Sequence, residues 1–184
     1  MVRHHPQWQK ARELAQKGKL GTLRAIQTLF SYHLLDPKNV RNIADIGGGA
    51  LYDIGCYPIV TARYVFGADP IRAVALIDRD PNFHTDRTTS GLVDFGEGRH
   101  LTFTTTTQGA PFQRVNILGS KARLEVEIPF NTPPDRPARI YVDDGRQLGG
   151  LAAQAIEFPA ADHYALQAER FVDAVRNRQR PRGD

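Results

Sequence analysis

Apolar positions recur at helical spacing in three stretches of this chain and at strand spacing between them. In residues 6–17, P-Q-W-Q-K-A-R-E-L-A-Q-K, the side chains Trp8, Ala11, Leu14 and Ala15 share one stripe and Gly18 follows as a stop, which predicts a short amphipathic helix. Residues 21–35 then alternate. Ile26, Thr28, Phe30, Tyr32 and Leu34 fall on one face and Leu23, Ala25, Gln27, Leu29 and Ser31 on the other, a long strand partly covered on both sides and ended by Asp36-Pro37. From Ala50 to Phe66, Leu51, Ile54, Ile59, Val60, Val65 and Phe66 spread around the circumference, predicting a helix buried on more than one side with Gly67 as its stop. Strand signals follow at 71–78, 88–95, 99–108, 114–118, 122–128 and 138–142, and Asn131 to Pro137 is too rich in proline for a central strand. Residues 162–176 close the pattern as an amphipathic helix, with Asp162 as N-cap and Tyr164, Gln167, Phe171 and Val175 at helical spacing; His163 and Tyr164 can face a site, with core packing the expected role for the tyrosine.

Turn signals at Phe95–Arg99, Leu118–Ala122 and Asp143–Arg146 are short, and consecutive strands joined by short turns run antiparallel. The expected architecture is therefore α+β, an open, largely antiparallel sheet with helices on one face and one domain over residues 1–184. In L-T-F-T-T-T-T-Q, Leu101 and Phe103 would face the helices, and Thr102, Thr104 and Thr106 the open side. That open face reads as too sparsely charged for a comfortable solvent surface, so a homo-oligomer through it is expected.

Composition narrows the class. With 41% hydrophobic and 24% charged residues the chain reads as soluble and globular, and no apolar run reaches the roughly 20 residues of a membrane span. The net charge of +4 sits at the ends: residues 1–24 hold six Lys/Arg against one Glu, and residues 170–184 five Arg against two Asp. Arg176, Arg178, Arg180 and Arg182 alternate with Asn, Gln and Pro without interleaved aromatics, which reads as a solvated tail and not a nucleic-acid surface. A single cysteine, Cys56, excludes an internal disulfide and fits a reducing, cytoplasmic compartment; its place in an apolar helix predicts a packed thiol. The residues 1–8 carry charge but no apolar leader core, although a signal ahead of residue 1 would lie outside this sequence.

The stretch with candidate chemistry is Asp45 to Gly67. Gly47, Gly48 and Gly49 allow close backbone approach, but counting G-x-G-x-x-G from Gly47 puts Tyr52 at the third glycine and no strand comes immediately before, so a phosphate cradle is poorly matched. Asp53 and Tyr57 are four residues apart, one turn on one helix face, and Pro58 withdraws a donor from the carbonyl of Ile54 beside them. Plain readings remain open: a glycine loop, an Asp favouring the helix dipole, a core tyrosine. The adjacent His4 and His5 and the scattered His33, His84, His100 and His163 have no ligand spacing, so no metal is expected.

The run D-P-K-N-V-R-N from Asp36 to Asn42, followed by G-G-G-A-L-Y-D-I-G-C-Y-P, resembles the C-terminal domain of the glucose-fructose oxidoreductase, inositol dehydrogenase and MocA family of NAD(P)-dependent sugar enzymes. M-V-R-H-H-P-Q at the start, G-S-K-A-R-L-E-V at Gly119 to Val126 and Y-A-L-Q-A-E-R-F-V-D-A-V at Tyr164 to Val175 extend the likeness over most of the chain. Its D-x-G-x-Y is similar to the branch of glucose-fructose oxidoreductase and the xylose and dihydrodiol dehydrogenases, whereas many members have histidine at the position of Tyr57.

The resemblance implies the substrate-binding and oligomerisation part of an oxidoreductase that moves a hydride between a nicotinamide cofactor and a sugar or polyol. It also implies that NAD or NADP is bound mainly by an N-terminal Rossmann domain absent from this chain, which supplies a lysine from an E-K-P motif. Carried over by position, Tyr57 is the acid/base or the donor that orients the reacting oxygen. Asp53 fixes substrate hydroxyls or the lysine, Arg41 approaches the cofactor, and Arg3 and His163 join Asp53 and Tyr57 in substrate binding. The competing reading is a dimerisation or ligand-binding module without chemistry of its own.

Overall fold

A computed structural model describes residues 1–179. Arg180 and Arg182 of the expected basic tail lie outside the described residues. Three α-helices, α1 (Pro6–Gln16), α2 (Cys56–Phe66) and α3 (His163–Arg176), accompany eight strands: β1 (Leu23–His33), β2 (Arg72–Arg79), β3 (Asp86–Asp94), β4 (His100–Thr106), β5 (Gln108–Gly119), β6 (Arg123–Val126), β7 (Ala138–Asp143) and β8 (Gln154–Phe158). One sheet holds all eight in the order β2-β3-β4-β1-β5-β6-β7-β8.

The α+β expectation of an open, largely antiparallel sheet holds, and two details of the topology lie beyond it. The sheet is mixed: β1 runs parallel to β4, Ile26 opposite Leu101 and Phe30 opposite Thr105, and antiparallel to β5, Ile26 opposite Ile117. Local turn signals cannot reveal this, because β1 comes from the start of the chain and inserts between two strands that follow each other directly in sequence. β8 also lies outside the expected strands; only Ile156 and Phe158 of its five residues turn inward against the core, an alternation too short to stand out in the sequence.

Helices cover one face of the sheet. Trp8, Ala11 and Ala15 of α1 are buried as their stripe requires, and the Trp8 indole donates to the carbonyl of Pro129 at 2.7 Å. They meet Ile26 and Phe30 of β1, Leu101 and Phe103 of β4, Val115 and Ile117 of β5, and Ile54, Ala62, Val65 and Phe66 around α2 in one core. Burial of such apolar area is the main favourable term in folding.

On the open face, Thr102, Thr104 and Thr106 stand where the alternation put them, but the expectation of sparse charge holds for one half only. Around β2 and β3, Val74, Leu76 and Leu92 are exposed, Leu76 at 81%. Across β5 to β8 the face carries an ion-pair lattice: Arg114–Glu125 and Arg123–Glu125 at 2.9 Å, and Arg139–Glu157 at 3.0 Å.

Two further expectations change. Cys56 is exposed, not packed, because the helix turns it outward at its first position. In α3, capped by Asp162 as expected, only His163 is buried; Tyr164, Phe171 and Val175 are exposed, so the apolar stripe finds no cover among the described residues.

Candidate active site

The helix that carries Asp53 and Tyr57 begins irregularly. Pro58 has no N–H for the carbonyl four residues back and its ring crowds that turn, and the backbone widens into a π-helical turn over Leu51–Gly55 before resuming as α2. The turn's N-terminal end is held from across the sheet: Asp86 Oδ2 accepts from the Leu51 N–H and from Thr89 Oγ1, both at 2.7 Å. Asp86, itself 8% exposed, thereby satisfies an amide that the helix start leaves without an internal partner.

The loop between β1 and this turn is tied by its own amides. Gly47 donates to Ala44 O at 3.0 Å, Gly48 to Ile43 O at 3.0 Å and Gly49 to Arg41 O at 2.9 Å. With all three N–H groups consumed inside the loop, the run does not fit a pyrophosphate; it folds the loop back so that Arg41 stands beside the helix. Close packing explains the residue type: a Cβ on Gly48 would lie 2.6 Å from the Arg41 carbonyl oxygen.

Asp53 is gripped at both oxygens. Arg41 Nε donates to Oδ1 at 2.8 Å and the Tyr32 hydroxyl donates to Oδ2 at 2.5 Å. Arg41 is steadied in turn by Asn39, whose side-chain oxygen caps the Arg41 N–H at 3.1 Å. Burial first, and then the bond to Asp53, pushes the Tyr32 phenol above its ordinary range, so Tyr32 is a fixed donor at all working pH values. The charge of Asp53 raises the Arg41 pKa in the same way.

One turn on, Tyr57 stands in an aromatic setting, its ring edge-on to Phe30 at 5.8 Å and tilted against Phe130 at 5.4 Å. Its hydroxyl makes no hydrogen bond to the described residues. Burial raises its pKa, the neighbouring Cys56, Tyr164 and Asp53 add to this, and Arg41 opposes it. Tyr57 is therefore a neutral phenol at physiological pH, able to donate. Together with Tyr32, Asn39, Arg41, Asp53, Asn131 and Tyr164 it lines a cleft of about 520 Å³.

Asp53, Tyr57 and Arg41 are thus brought together as the sequence suggested. Arg3 is not with them: it lines a separate groove against α1 and α2 with Arg12, Arg63 and Tyr64. His163 is buried behind the cleft, its ring 6.2 Å from that of His5 and 4.7 Å from Tyr164. Tyr164, expected in the core, is the member of this pair that reaches the cleft. Tyr32, Asn39 and Asn131 were not singled out. Strand parity alone placed Tyr32 on the face of Phe30, next to the loop that bears Arg41, and a hydroxyl at the inner end of a strand is the signal that could have found it. Among the described residues no three His, Cys, Asp or Glu side chains gather as a metal site, and no helix is long and apolar enough to cross a membrane.

Comparison with known proteins follows the same geometry. A model of the GFO/IDH/MocA C-terminal domain matches residues 8–125. An uncharacterized oxidoreductase of Rhizobium meliloti is 45% identical over 177 residues, 96% of this chain and 53% of the relative. D-xylose 1-dehydrogenase (NADP(+)) 2 of Haloferax volcanii is 28% identical over the whole chain and 55% of its own length. Among solved structures, the 3-ketoreductase KijD10 of Actinomadura kijaniata, in complex with NADP and TDP-benzene, superposes with a TM-score of 0.88 at 27% identity, over 99% of this chain and 55% of that one. The chain spans about half the length of the curated relatives it matches.

Proposed function

This chain belongs to the GFO/IDH/MocA family, in its C-terminal domain, and from that premise we propose that it forms the substrate-binding and oligomerisation half of an NAD(P)-dependent oxidoreductase acting on a sugar or polyol. The observation that carries the proposal is the Tyr57 hydroxyl, uncommitted among the described residues and facing a polar cleft beside the Tyr32–Asp53–Arg41 cluster. Of the relatives named above, the H. volcanii enzyme is a D-xylose 1-dehydrogenase (NADP(+)), and the A. kijaniata 3-ketoreductase is complexed with NADP and TDP-benzene. Solved variants of the A. kijaniata enzyme replace a tyrosine by phenylalanine and a lysine by alanine, the two side-chain types this reading needs.

When bound, the nicotinamide accepts or supplies the hydride. The residues of this chain handle the oxygen and its proton. Tyr57, held neutral, donates to the reacting oxygen and stabilises the charge that grows there. For the reverse direction the phenol must lose its proton, which calls for a cation nearby, and the Asp53-bound Arg41 is the cation this chain offers. Asp53 retains lone pairs for substrate hydroxyls, and the rings of Phe30 and Tyr164, which line the cleft, offer apolar surface to a sugar. The glycine amides are spent internally, so this loop would not cradle the cofactor's pyrophosphate. Arg41, at the wall of the cleft, would meet the cofactor near its reacting end.

In the protein together with its dinucleotide-binding domain, Tyr57→Phe is expected to lower kcat by about 10²- to 10⁴-fold, the range for loss of a general acid or base, with the unfolding midpoint unchanged. Near-normal turnover in that variant would return Tyr57 to the core and leave the domain a non-catalytic binding module.

A further inference from the structure

We propose that Tyr32 is a positioning residue that acts through Asp53 to set where the Arg41 guanidinium stands over the Tyr57 cleft. The inference rests on the functional reading above and goes beyond it, since it assigns a role to a side chain that need not touch substrate at all.

Three segments of the chain meet at one carboxylate. Tyr32 is the last inner-face residue of β1, the central strand of the sheet; it lies one residue past Ser31, the last position paired on both edges, and at the register shift before His33 pairs with Gln108. Arg41 sits on the loop that follows, and Asp53 on the widened turn before α2. Apart from its internal amides, the loop is tied through Asn42 Nδ2, which bonds the Asp36 carbonyl at 2.8 Å and the Leu34 carbonyl at 3.4 Å. The Arg41 side chain is 43% exposed, and its other bond, from Nη1 to Asn39 Oδ1, is long at 3.5 Å, so the 2.8 Å bond to Asp53 is its main hold. Asp53 alone would leave one torsion free, because a carboxylate held at a single oxygen still rotates about its Cβ–Cγ bond. The Tyr32 hydroxyl at Oδ2 removes that freedom, and the Nε–Oδ1 bond then fixes Arg41 relative to the sheet. Hydrogen bonds to an ionised acceptor are short and directional, and a chain of them holds its end members more tightly than any pair alone. The arrangement also leaves the outer edge of the guanidinium toward the cleft, where Arg41 lines the wall.

The test uses the protein with its dinucleotide-binding domain and three variants, Tyr32→Phe, Asp53→Ala and the double. Tyr32→Phe keeps the ring and removes only the donor. It is expected to lower kcat about 10-fold or more, as loss of a hydrogen bond to a charged group does, with KM changed far less. In the Asp53→Ala background the same change should have no further effect, because the route through Asp53 is already cut. The second readout needs no turnover: the Arg41 Nε–H proton, protected from solvent exchange in the parent by NMR, should lose protection in Tyr32→Phe while the backbone amides of β1 keep theirs. A Tyr32→Phe protein with full kcat in an enzyme that Tyr57→Phe inactivates overturns the inference and leaves the functional reading standing. If turnover survives Tyr57→Phe, the functional reading falls instead, and the Arg41 Nε–H signal decides for Tyr32: lost protection supports its positioning role, and unchanged protection overturns it.

Discussion

Gly49 and Gly47 lie two residues apart in the same run, both with positive φ, yet the structure separates them sharply. At Gly49 φ is +126° and an added Cβ would lie 1.9 Å from Asp86 Oδ1; at Gly47 φ is +84° and nothing lies within 4 Å of that position. Gly47→Ala therefore meets only the left-handed backbone penalty, about 1–2 kcal/mol. Gly49→Ala meets that penalty and must also displace the Asp86 carboxylate. That carboxylate cannot swing away without releasing the Leu51 amide and the Thr89 hydroxyl. Bonds to a charged acceptor contribute about 1.5–3 kcal/mol each, so even one lost bond brings the total for Gly49→Ala to roughly 2.5–5 kcal/mol. Urea unfolding of the two variants, followed by circular dichroism, measures the difference as a shift in midpoint at constant slope. The variant Asp86→Ala should make the Gly49 change milder than it is in the parent, since the obstructing atom is gone, and the resulting coupling is the signature of contact. Equal losses for Gly47→Ala and Gly49→Ala, or strict additivity with Asp86→Ala, would refute the reasoning.

Other consequences are as direct. If a second copy covers the Val74, Leu76 and Leu92 patch of the open face, Leu76→Glu should raise the dimer dissociation constant at least about tenfold by setting a charge in an apolar contact; light scattering reads this, and a parent protein that is monomeric at all concentrations rules the sheet-face dimer out. The His5 pKa is pushed down to about 4 by burial and then by His163, so the unfolded state takes up a proton first on acidification. Stability should be complete above the unfolded value near 6.5 and fall between there and about pH 4, by up to about 3 kcal/mol. His5→Asn, which keeps an N-cap acceptor for Gln7, should flatten that slope in thermal unfolding between pH 7 and 4.

The legible parts of the sequence were those governed by neighbours in the chain. The Trp8 stripe, the Asp162 cap and the inward Leu101 and Phe103 follow from helical or strand periodicity, which local sterics impose. Asp53 and Tyr57 were legible for the same reason, being one turn apart. What escaped was set by chain segments that meet only after folding. Asp86 caps a helix 35 residues earlier in the sequence, and nothing around it announces an N-cap. Tyr32 reads as one more inner-face aromatic until Asp53 is placed against it. Tyr164 was assigned to the core because its helix looked amphipathic; the apolar stripe is real, but the described residues do not cover it. Cys56 shows the converse error, an apolar neighbourhood in sequence that the helix rotates outward.

The position of β1 also shapes how this molecule must assemble. β4 ends at Thr106 and β5 begins at Gln108, so the two would ordinarily close on each other as a fast, local hairpin. In the finished sheet β1 occupies the gap, paired with both along most of its length. Its partners lie some 75 to 95 residues downstream, a separation that carries a large loop-closure entropy before any pairing repays it. A β4–β5 hairpin formed early is thus a misassembled state with nearly native strands, and it must reopen to admit β1. Tyr32 rides on β1, so it can meet Asp53 and complete the cleft only after β1 has taken its place between β4 and β5.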